Sequence, residues 1–554
     1  MKLFATPLTA SIALTISILT FSAHADTKAP VRISVSPLDK THIKLEYRLP
    51  QSCKSLALYS AYGERTHDLR KEWLPLDQCG HLNDKDVLEI QADCNLASFS
   101  VPIQAKVIDR VNPVAYPFDE QGVLAHTATF IAEGTCGEVD WQFSSPKGAV
   151  IIDGVNRGSS TTLSQKDNNF ITYTGVFLSS KPRAKQTPLI ATNATPAWLK
   201  KGIADGAEQI TAYYKKTYPT LNFLAPTLFI SNTVEPNSIG MQADVSSRRM
   251  IRFGYFNAGD EPSDEKIKGA MDVTAHEFAH ILQPNKQSSA YQQEGGAEFI
   301  RWMTAYKLGW KQKQELTEEF SNVLANCLEI ADNKSFPMVE KESLQLGYGI
   351  YTCGLAIHII GLASRQTTES AEETISAYYQ QWRAHDEQDF SQSLECGNLK
   401  NCTSQWLKET LQGDKPFVQQ VGIQLSRLEI VKRLSAGKNP IAASRKAFDS
   451  LMKEDCGGSS FWSNENNFYV NQIPPTCKSF TNELSITQVE GVSYFSEPLK
   501  ALEAQNKGCR SKQSVTLGTL DNKSIKVACN REVIPSQNYY EIDADKLFLL
   551  LDKR

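Results

Sequence analysis

The fold of this chain is decided by the stretch Ala275-His276-Glu277-Phe278-Ala279-His280, which is followed by Glu294-Gly295-Gly296-Ala297-Glu298. On a helix, the side chains of residues i and i+4 share one face, so His276 and His280 can offer two imidazole nitrogens to one zinc ion. Glu277 projects beside the same ion, where a carboxylate can take a proton from a metal-activated water. This spacing predicts half of a catalytic metal site.

Two histidines on an amphipathic helix are also compatible with simple packing. The chain has only nine histidines, however, so a chance match to His-Glu-x-x-His is uncommon. A buried helix that ends at Pro284 and Asn285 is predicted by the apolar residues Met271, Val273, Ala275, Phe278, Ala279, Ile281 and Leu282. We therefore interpret the two histidines as zinc ligands.

A catalytic zinc ion needs a third protein ligand and an open position for water. The metzincin pattern would place a third histidine at position 286, which is Lys286, and the next histidine is His358. The segment from Gln293 to Phe299 instead resembles the Glu-Gly-x-Ala-Glu segment of several gluzincin families, whose third ligand is a glutamate on a second helix. The resemblance implies that Glu294 completes the ligand set of one catalytic Zn²⁺ ion.

Glu298 lies one helical turn after Glu294. Its carboxylate could accept the free ring N–H of a zinc-binding histidine and fix the tautomer of that ring. Glu294 and Glu298 could also exchange their roles, and Glu298 could be an ordinary glutamate of the helix surface.

A catalytic tyrosine is implied by a second resemblance. Tyr351-x-x-Gly354 resembles the Tyr-x-x-Gly of the M1 aminopeptidases, where the tyrosine hydroxyl steadies the oxyanion of the tetrahedral intermediate. This makes Tyr351 the candidate oxyanion donor. Tyr348 is the nearest substitute, and simple packing of Tyr351 is the other alternative.

Taken together, the chain resembles the gluzincin side of the His-Glu-x-x-His peptidases, which holds the M1 aminopeptidases, the M61 glycyl aminopeptidases and the bacterial collagenases. The resemblance covers about residues 265 to 310 and is looser to about residue 365. M1 enzymes carry a Gly-x-Met-Glu-Asn strand whose glutamate holds the substrate amine. This chain has Ile239-Gly240-Met241-Gln242-Ala243-Asp244 instead, with no glutamate.

We therefore expect a zinc-dependent metallopeptidase that acts as an endopeptidase on a peptide or protein substrate. A zinc aminopeptidase of the M1 or M61 type is the alternative within the enzyme class. A catalytically silent secreted binding protein with a structural zinc ion is the alternative outside it, although a structural site needs no general base such as Glu277. The sequence identifies neither the substrate-binding residues nor the oligomeric state.

The amino end predicts export. Met1-Lys2-Leu3 is a short basic start, Pro7 to Phe21 is an apolar core, and Ala23-His24-Ala25 is a small-x-small cleavage site, so residues 1–25 read as a signal peptide. The other notable apolar run, Leu355 to Ala363, is too short to span a membrane. We expect a periplasmic or extracellular protein without a membrane span.

Because an exported protein enters an oxidising compartment, the twelve cysteines are expected to form disulfides, whose pairing the sequence leaves open. They fall in clusters along the chain: Cys53, Cys79, Cys94 and Cys136; Cys327 and Cys353; Cys396 and Cys402; Cys456, Cys477, Cys509 and Cys529.

The composition is that of a globular protein, with 41% hydrophobic residues and a net charge of −4. No basic tract is present, which excludes an electrostatic basis for nucleic-acid binding.

The pattern along the chain predicts an α+β protein of three parts. Alternating runs such as Val31 to Val35, His42 to Tyr47, Thr127 to Ile131 and Phe170 to Phe177 predict a β-sandwich in residues 26–190. A zincin-like catalytic domain, sheet first and helices after, is expected in residues 191–435. A small cysteine-containing β-rich module is expected in residues 436–554.

Within the catalytic domain, Trp198 to Tyr218 has helical spacing, and further helices are predicted at 266–283, 290–308, 313–331 and 349–364. The segment from Arg248 to Phe256 is predicted to be the edge strand against which gluzincins lay an extended peptide. Its three arginines could favour acidic substrates, or could belong to a half-solvated edge.

Overall fold

The computed structural model describes residues 29–59, 64–105, 112–130, 132–133, 136–164, 175–185, 188–234, 240–247, 249–284, 289–346, 349–365, 368–385, 390–393, 403–434, 440–458, 461–463, 466–470, 473, 476–534 and 539–552. The expected signal peptide, Tyr348 and the cysteines Cys396 and Cys402 lie outside the described residues.

Strands dominate the amino-terminal region, because its sequence alternates apolar and polar residues between turns. Their bounds are β1 (Val31–Pro37), β2 (His42–Arg48), β3 (Ser55–Leu58), β4 (Leu74–Pro75), β5 (Gly80–Leu82), β6 (Val87–Ile90), β7 (Leu96–Pro102), β8 (Ala115–Pro117), β9 (Gly122–His126), β10 (Ala132–Glu133), β11 (Val139–Ser144), β12 (Ala149–Ile152), β13 (Val155–Asn156), β14 (Ser160–Ser164) and β15 (Gly175–Ser179), with one helix, α1 (Glu64–Arg70).

These strands form three sheets, ordered β14-β11-β1-β2-β7-β4, β10-β3-β6-β5 and β13-β12-β15-β9-β8. On β1, alternate residues Val31, Ile33 and Val35 are fully buried, as the period of a strand requires. The disulfides Cys53–Cys136 and Cys79–Cys94 link segments of this region.

The strand predicted at Thr127 to Ile131 is wrong. Residues Thr127–Thr129 form a 3-10 turn, because β9 ends at His126 and the chain then bends to bury Phe130 completely. The alternation of apolar and polar residues in the sequence thus continues beyond His126, where the strand itself ends.

The next sheet consists of β16 (Leu189–Ala191), β17 (Thr227–Thr233), β18 (Gly240–Ser247) and β19 (Met250–Phe256), in the order β16-β17-β19-β18. Strand β19 runs parallel to β17, and β18 runs antiparallel to β19. The edges of this sheet are therefore β16 and β18, and the prediction that Arg248 to Phe256 forms an edge is wrong.

The burial of Arg252 explains this error. Its side chain is 1% exposed and forms an ion pair with Asp244 on β18, with 2.5 Å between Nη2 and Oδ1. The guanidinium also lies 4.0 Å from the ring centroid of Tyr116 on β8. In the sequence, a buried and paired arginine looks the same as a polar residue that faces solvent on an edge strand. Because Arg252 is buried and already paired, its side chain is not accessible to an acidic substrate.

Helix α2 (Ala197–Thr217) lies between β16 and β17, and the other helices of this part follow the sheet, as the sequence predicts. The bounds of the others are α3 (Asp264–Leu282), α4 (Ala290–Lys307), α5 (Lys313–Ala331), α6 (Phe336–Leu346), α7 (Gly349–Ser364), α8 (Ala371–Ala384), α9 (Phe390–Ser393), α10 (Thr403–Gln412) and α11 (Phe417–Leu428). Their apolar faces share one core with the sheet residues Ile230, Ile251 and Phe253. The α+β class predicted from the sequence is confirmed.

The remaining elements are β20 (Val431–Leu434), α12 (Pro440–Cys456), β21 (Phe461–Ser463), β22 (Phe468–Val470), β23 (Leu484–Val489), β24 (Val492–Ser493), α13 (Pro498–Lys512), β25 (Ser514–Thr519), β26 (Ser524–Ala528), β27 (Tyr539–Ile542) and α14 (Ala544–Leu551). Strands β21 to β26 form one sheet, and residues of α12 and α13 share its core. The disulfides Cys456–Cys477 and Cys509–Cys529 lie in this part. The sequence interpretation had not predicted the two helices.

The last segment returns to the helical core. Strand β27 pairs with β20, and the Phe548 ring of α14 stacks on Trp302 of α4 with 5.1 Å between ring centroids. Among the described helices, none is long and apolar enough to cross a membrane.

Candidate metal centre

Helix α3 carries the two histidines into the protein interior. It begins after Ser263, whose side chain accepts a hydrogen bond from the backbone N–H of Lys266, as a helix N-cap does. In the last two turns His276 and Glu277 are 9% and 6% exposed. The spacing of four residues along α3 directs the imidazoles of His276 and His280 toward helix α4.

Helix α4 begins with a capping box between Ser289 and Gln292, which places Glu294 in its second turn. His276 Nε2 lies 3.1 Å from His280 Nε2 and 3.3 Å from Glu294 Oε2. His280 Nε2 lies 3.5 Å from the same Glu294 oxygen. All three predicted ligand residues therefore converge, with their ligating atoms within 4.8 Å of one another.

The other ring nitrogens of both histidines have their own partners. His276 Nδ1 lies 2.8 Å from Glu298 Oε1, and His280 Nδ1 lies 2.9 Å from Gln283 Oε1. Because a carboxylate and an amide oxygen only accept, each Nδ1 is assigned the proton. The Nε2 atoms of both histidines then face the Glu294 carboxylate, an arrangement that a shared metal ion or an added proton satisfies.

This geometry fits zinc. Nitrogen and oxygen ligands lie about 2.0 to 2.1 Å from a tetrahedral zinc ion and hence roughly 3.3 Å from one another. The three observed separations of 3.1, 3.3 and 3.5 Å bracket that value.

The charges of the cluster also favour a cation. Burial disfavours protonated His276, but its hydrogen bonds to Glu294 and Glu298 outweigh burial and raise its pKa to about 10 when no metal ion is bound. Burial likewise raises the pKa of the Glu294 carboxyl, yet the charges of His280 and His276 hold that pKa far below its usual range. The pKa of Glu277 is raised by burial, which suits a proton acceptor.

Tyr351 stands at the start of helix α7 beside this cluster. Its ring centroid lies 5.9 Å from that of His276, and its side chain is 37% exposed. Desolvation and then the charges of Glu294 and Glu277 raise the pKa of its hydroxyl well above the ordinary value, so the hydroxyl stays a donor. A disulfide between Cys327 of α5 and Cys353 ties the second turn of α7 to α5.

Two residues around the ligands were missed from the sequence. Gln283 holds His280 and also donates from Nε2 to the Gln293 carbonyl, 2.7 Å away, which ties the end of α3 to α4. Arg301 donates to Glu298 Oε2 from Nε and Nη2 at 3.1 and 2.9 Å. The signal for Arg301 was its position three residues after Glu298 on the same helix face.

His358 packs in the protein core and does not belong to the cluster of His276, His280 and Glu294. It is fully buried, its Nδ1 lies 2.8 Å from the Gly354 carbonyl oxygen, and its ring stacks on Phe390 with 4.3 Å between centroids. Desolvation by burial lowers its pKa to about 4. The histidine therefore stays neutral at ordinary pH.

No protein-family model and no curated protein matches this sequence. Among solved structures, the chain is similar to the aminopeptidase N family protein from Idiomarina loihiensis, with a TM-score of 0.56 and 12% identity over 94% of this chain and 100% of that chain. Native yeast LTA4 hydrolase and its complex with bestatin align less well, at TM-scores of 0.41 and 0.40, identities of 11% and 10%, and coverage of 78% of each chain. The first likeness shows a shared fold.

Proposed function

We propose that this protein is a zinc metallopeptidase that hydrolyses peptide bonds. The observation that carries the proposal is the convergence of His276 Nε2, His280 Nε2 and a Glu294 oxygen within 4.8 Å, with Glu277 buried next to His276. The shared fold with an aminopeptidase N family protein supports it.

His276, His280 and Glu294 would hold one Zn²⁺ ion. Bound zinc would supply a Lewis acid for the scissile carbonyl and lower the pKa of a water ligand toward ~7. Glu277 accepts a proton from the attacking water and returns it to the leaving amine. Tyr351 donates its hydroxyl hydrogen to the oxyanion, and Glu298 fixes the tautomer of His276.

We propose an endopeptidase within this class. In the M1 resemblance, a glutamate on the Gly-x-Met-Glu-Asn strand holds the substrate amine, whereas strand β18 here carries Met241-Gln242-Ala243. A neutral amide binds an ammonium more weakly than a carboxylate does. The aminopeptidase alternative is favoured by the fold likeness to an aminopeptidase N family protein.

Export also belongs to the proposal. Disulfides persist in oxidising compartments, and the described cysteines are all paired. A periplasmic or extracellular location accords with those bonds and with the leader-like sequence at the amino end.

The test of this function compares one peptide in two forms, with a free and with an acetylated amino terminus, each incubated with the purified mature protein. An endopeptidase cleaves both forms at an internal bond, and chelation followed by added zinc abolishes and restores cleavage. Cleavage of the free form alone would establish the aminopeptidase. If neither form of the peptide nor an unstructured protein is cleaved, the proposal is overturned.

A further inference from the structure

A buried arginine stands behind the histidine–carboxylate pair of the metal centre. Glu298 uses Oε1 for His276 Nδ1, at 2.8 Å, and uses Oε2 for Arg301. Arg301 approaches Oε2 with two nitrogens, Nε at 3.1 Å and Nη2 at 2.9 Å, and is 9% exposed. Each oxygen of this carboxylate therefore has a fixed partner.

Arg301 is itself held by two further carboxylates. Its Nη2 lies 2.6 Å from Glu319 Oε1 on α5, and its Nη1 lies 3.4 Å from Asp272 Oδ2 on α3. Lys311 Nζ bonds the same two residues, at 2.9 Å from Glu319 Oε2 and 2.5 Å from Asp272 Oδ2. The network thus ties three helices together, and Arg301 is the cation in it that also contacts Glu298.

We propose that Arg301 is a positioning residue that secures zinc by holding the Glu298 carboxylate against His276, an inference that rests on the proposed zinc site. A buried carboxylate is stable only when it is paired and hydrogen-bonded. With two donors on Oε2, the carboxylate cannot rotate, so Oε1 stays on Nδ1 and the His276 lone pair stays aimed at the metal position. Loss of such outer contacts typically lowers metal affinity about 10- to 100-fold.

The chemistry of the side chain is specific. A guanidinium offers donors in a planar fork, which lets Arg301 reach Glu298, Glu319 and Asp272 at once. An ammonium keeps the charge but lacks the fork. Arg301→Lys should therefore restore only part of what Arg301→Met removes.

The experiment measures the zinc dissociation constant by competition with a chromophoric chelator, together with the thermal unfolding midpoint of the zinc-free protein. Arg301→Met should raise the zinc Kd by about tenfold or more, and Arg301→Lys by less. Lys311→Met is the matched control, because it removes the other cation of the network but no contact with Glu298. It should leave the zinc Kd near the wild-type value.

A double-mutant cycle shows whether Arg301 acts through Glu298. In the background of Glu298→Gln, Arg301→Met should add little to the loss of zinc affinity, since the carboxylate that it positions is gone. Additive losses would overturn the proposal. An equal loss in Lys311→Met would also overturn it, because a general effect of charge would then explain the result.

Failure of this inference and failure of the proposed function are distinguishable. If the wild type binds no zinc, the proposed function is wrong. If the wild type binds zinc and the Arg301 variants bind it equally well, only the role of Arg301 is wrong. Should Arg301→Met fail to fold, Arg301→Lys decides between the same outcomes.

Discussion

Gly295 and Gly354 lie backbone against backbone where helix α4 crosses helix α7. A Cβ added to Gly295 would lie 2.5 Å from Gly354 Cα, and one added to Gly354 would lie 2.7 Å from Gly295 Cα. Glu294 precedes the first glycine, and Tyr351 lies one helical turn before the second. The contact of two glycines therefore sets how closely the proposed third ligand and the proposed oxyanion donor approach each other.

Gly354→Ala should separate the two helices. Because the added methyl group would meet the backbone of Gly295, we expect a loss of about 1 to 3 kcal/mol in the free energy of unfolding together with a fall in peptidase activity. Chemical denaturation and peptide cleavage measure the two effects. Gly269→Ala on α3 is the control: nothing lies within 4 Å of its Cβ position, so it should stabilise by about 1 kcal/mol.

Tyr351→Phe should lower kcat while zinc content and KM stay close to the wild-type values. Removing one oxyanion donor typically costs about 3 kcal/mol of transition-state stabilisation, a factor of roughly 10² to 10³ in rate. Steady-state cleavage kinetics measure this loss. Tyr306→Phe on α4 serves as the control and should retain full activity, whereas an unchanged kcat in Tyr351→Phe would remove Tyr351 from the mechanism.

The disulfide between Cys327 and Cys353 should support Tyr351. It closes a loop of 26 residues, so its removal by alanine at both positions should destabilise by about 3.5 kcal/mol and lower kcat. The pair Cys79 and Cys94, separated by 15 residues in the amino-terminal region, is the control. Its removal should cost about 3 kcal/mol but leave kcat unchanged. Equal effects on kcat would show that Cys327–Cys353 has no special link to the site.

His358 should make stability depend on pH. Burial lowers its pKa from 6.5 to about 4, so the neutral ring stabilises the fold fully above pH 6.5, and this contribution declines as the pH falls toward 4. The decline amounts to about 3 kcal/mol. In His358→Gln this component is absent, so the unfolding free energy should fall less between pH 7 and pH 4. Parallel pH profiles for the two proteins would contradict the assignment.

Local pattern predicted much of the site. The spacing of His276 and His280 and the apolar periodicity around them depend only on neighbouring residues, and the predicted helix at 266–283 matches Asp264–Leu282 closely. Glu294 came from a resemblance, and the structure places it beside both histidines. Its role as a ligand stays a prediction.

The predictions that were wrong or missing depend on contacts between segments that are distant in the sequence. The edge strand was misplaced because Arg252 is buried by Asp244 and Tyr116, which no local pattern reveals. Gln283 and Arg301 were missed although each lies three residues after the residue that it contacts, His280 or Glu298. Their further contacts, to Gln293 on α4 and to Glu319 on α5, join segments that are distant in the sequence. The return of α14 to the core likewise depends on tertiary packing.

The most direct test of the central claim measures zinc content and casein cleavage in the wild type and in Glu277→Gln. The substitution keeps the size of the side chain but removes its ability to accept a proton. We expect one zinc ion per chain in both proteins, with cleavage in the wild type and almost none in the variant. Near-normal cleavage by Glu277→Gln, or a wild type without zinc, would contradict the account.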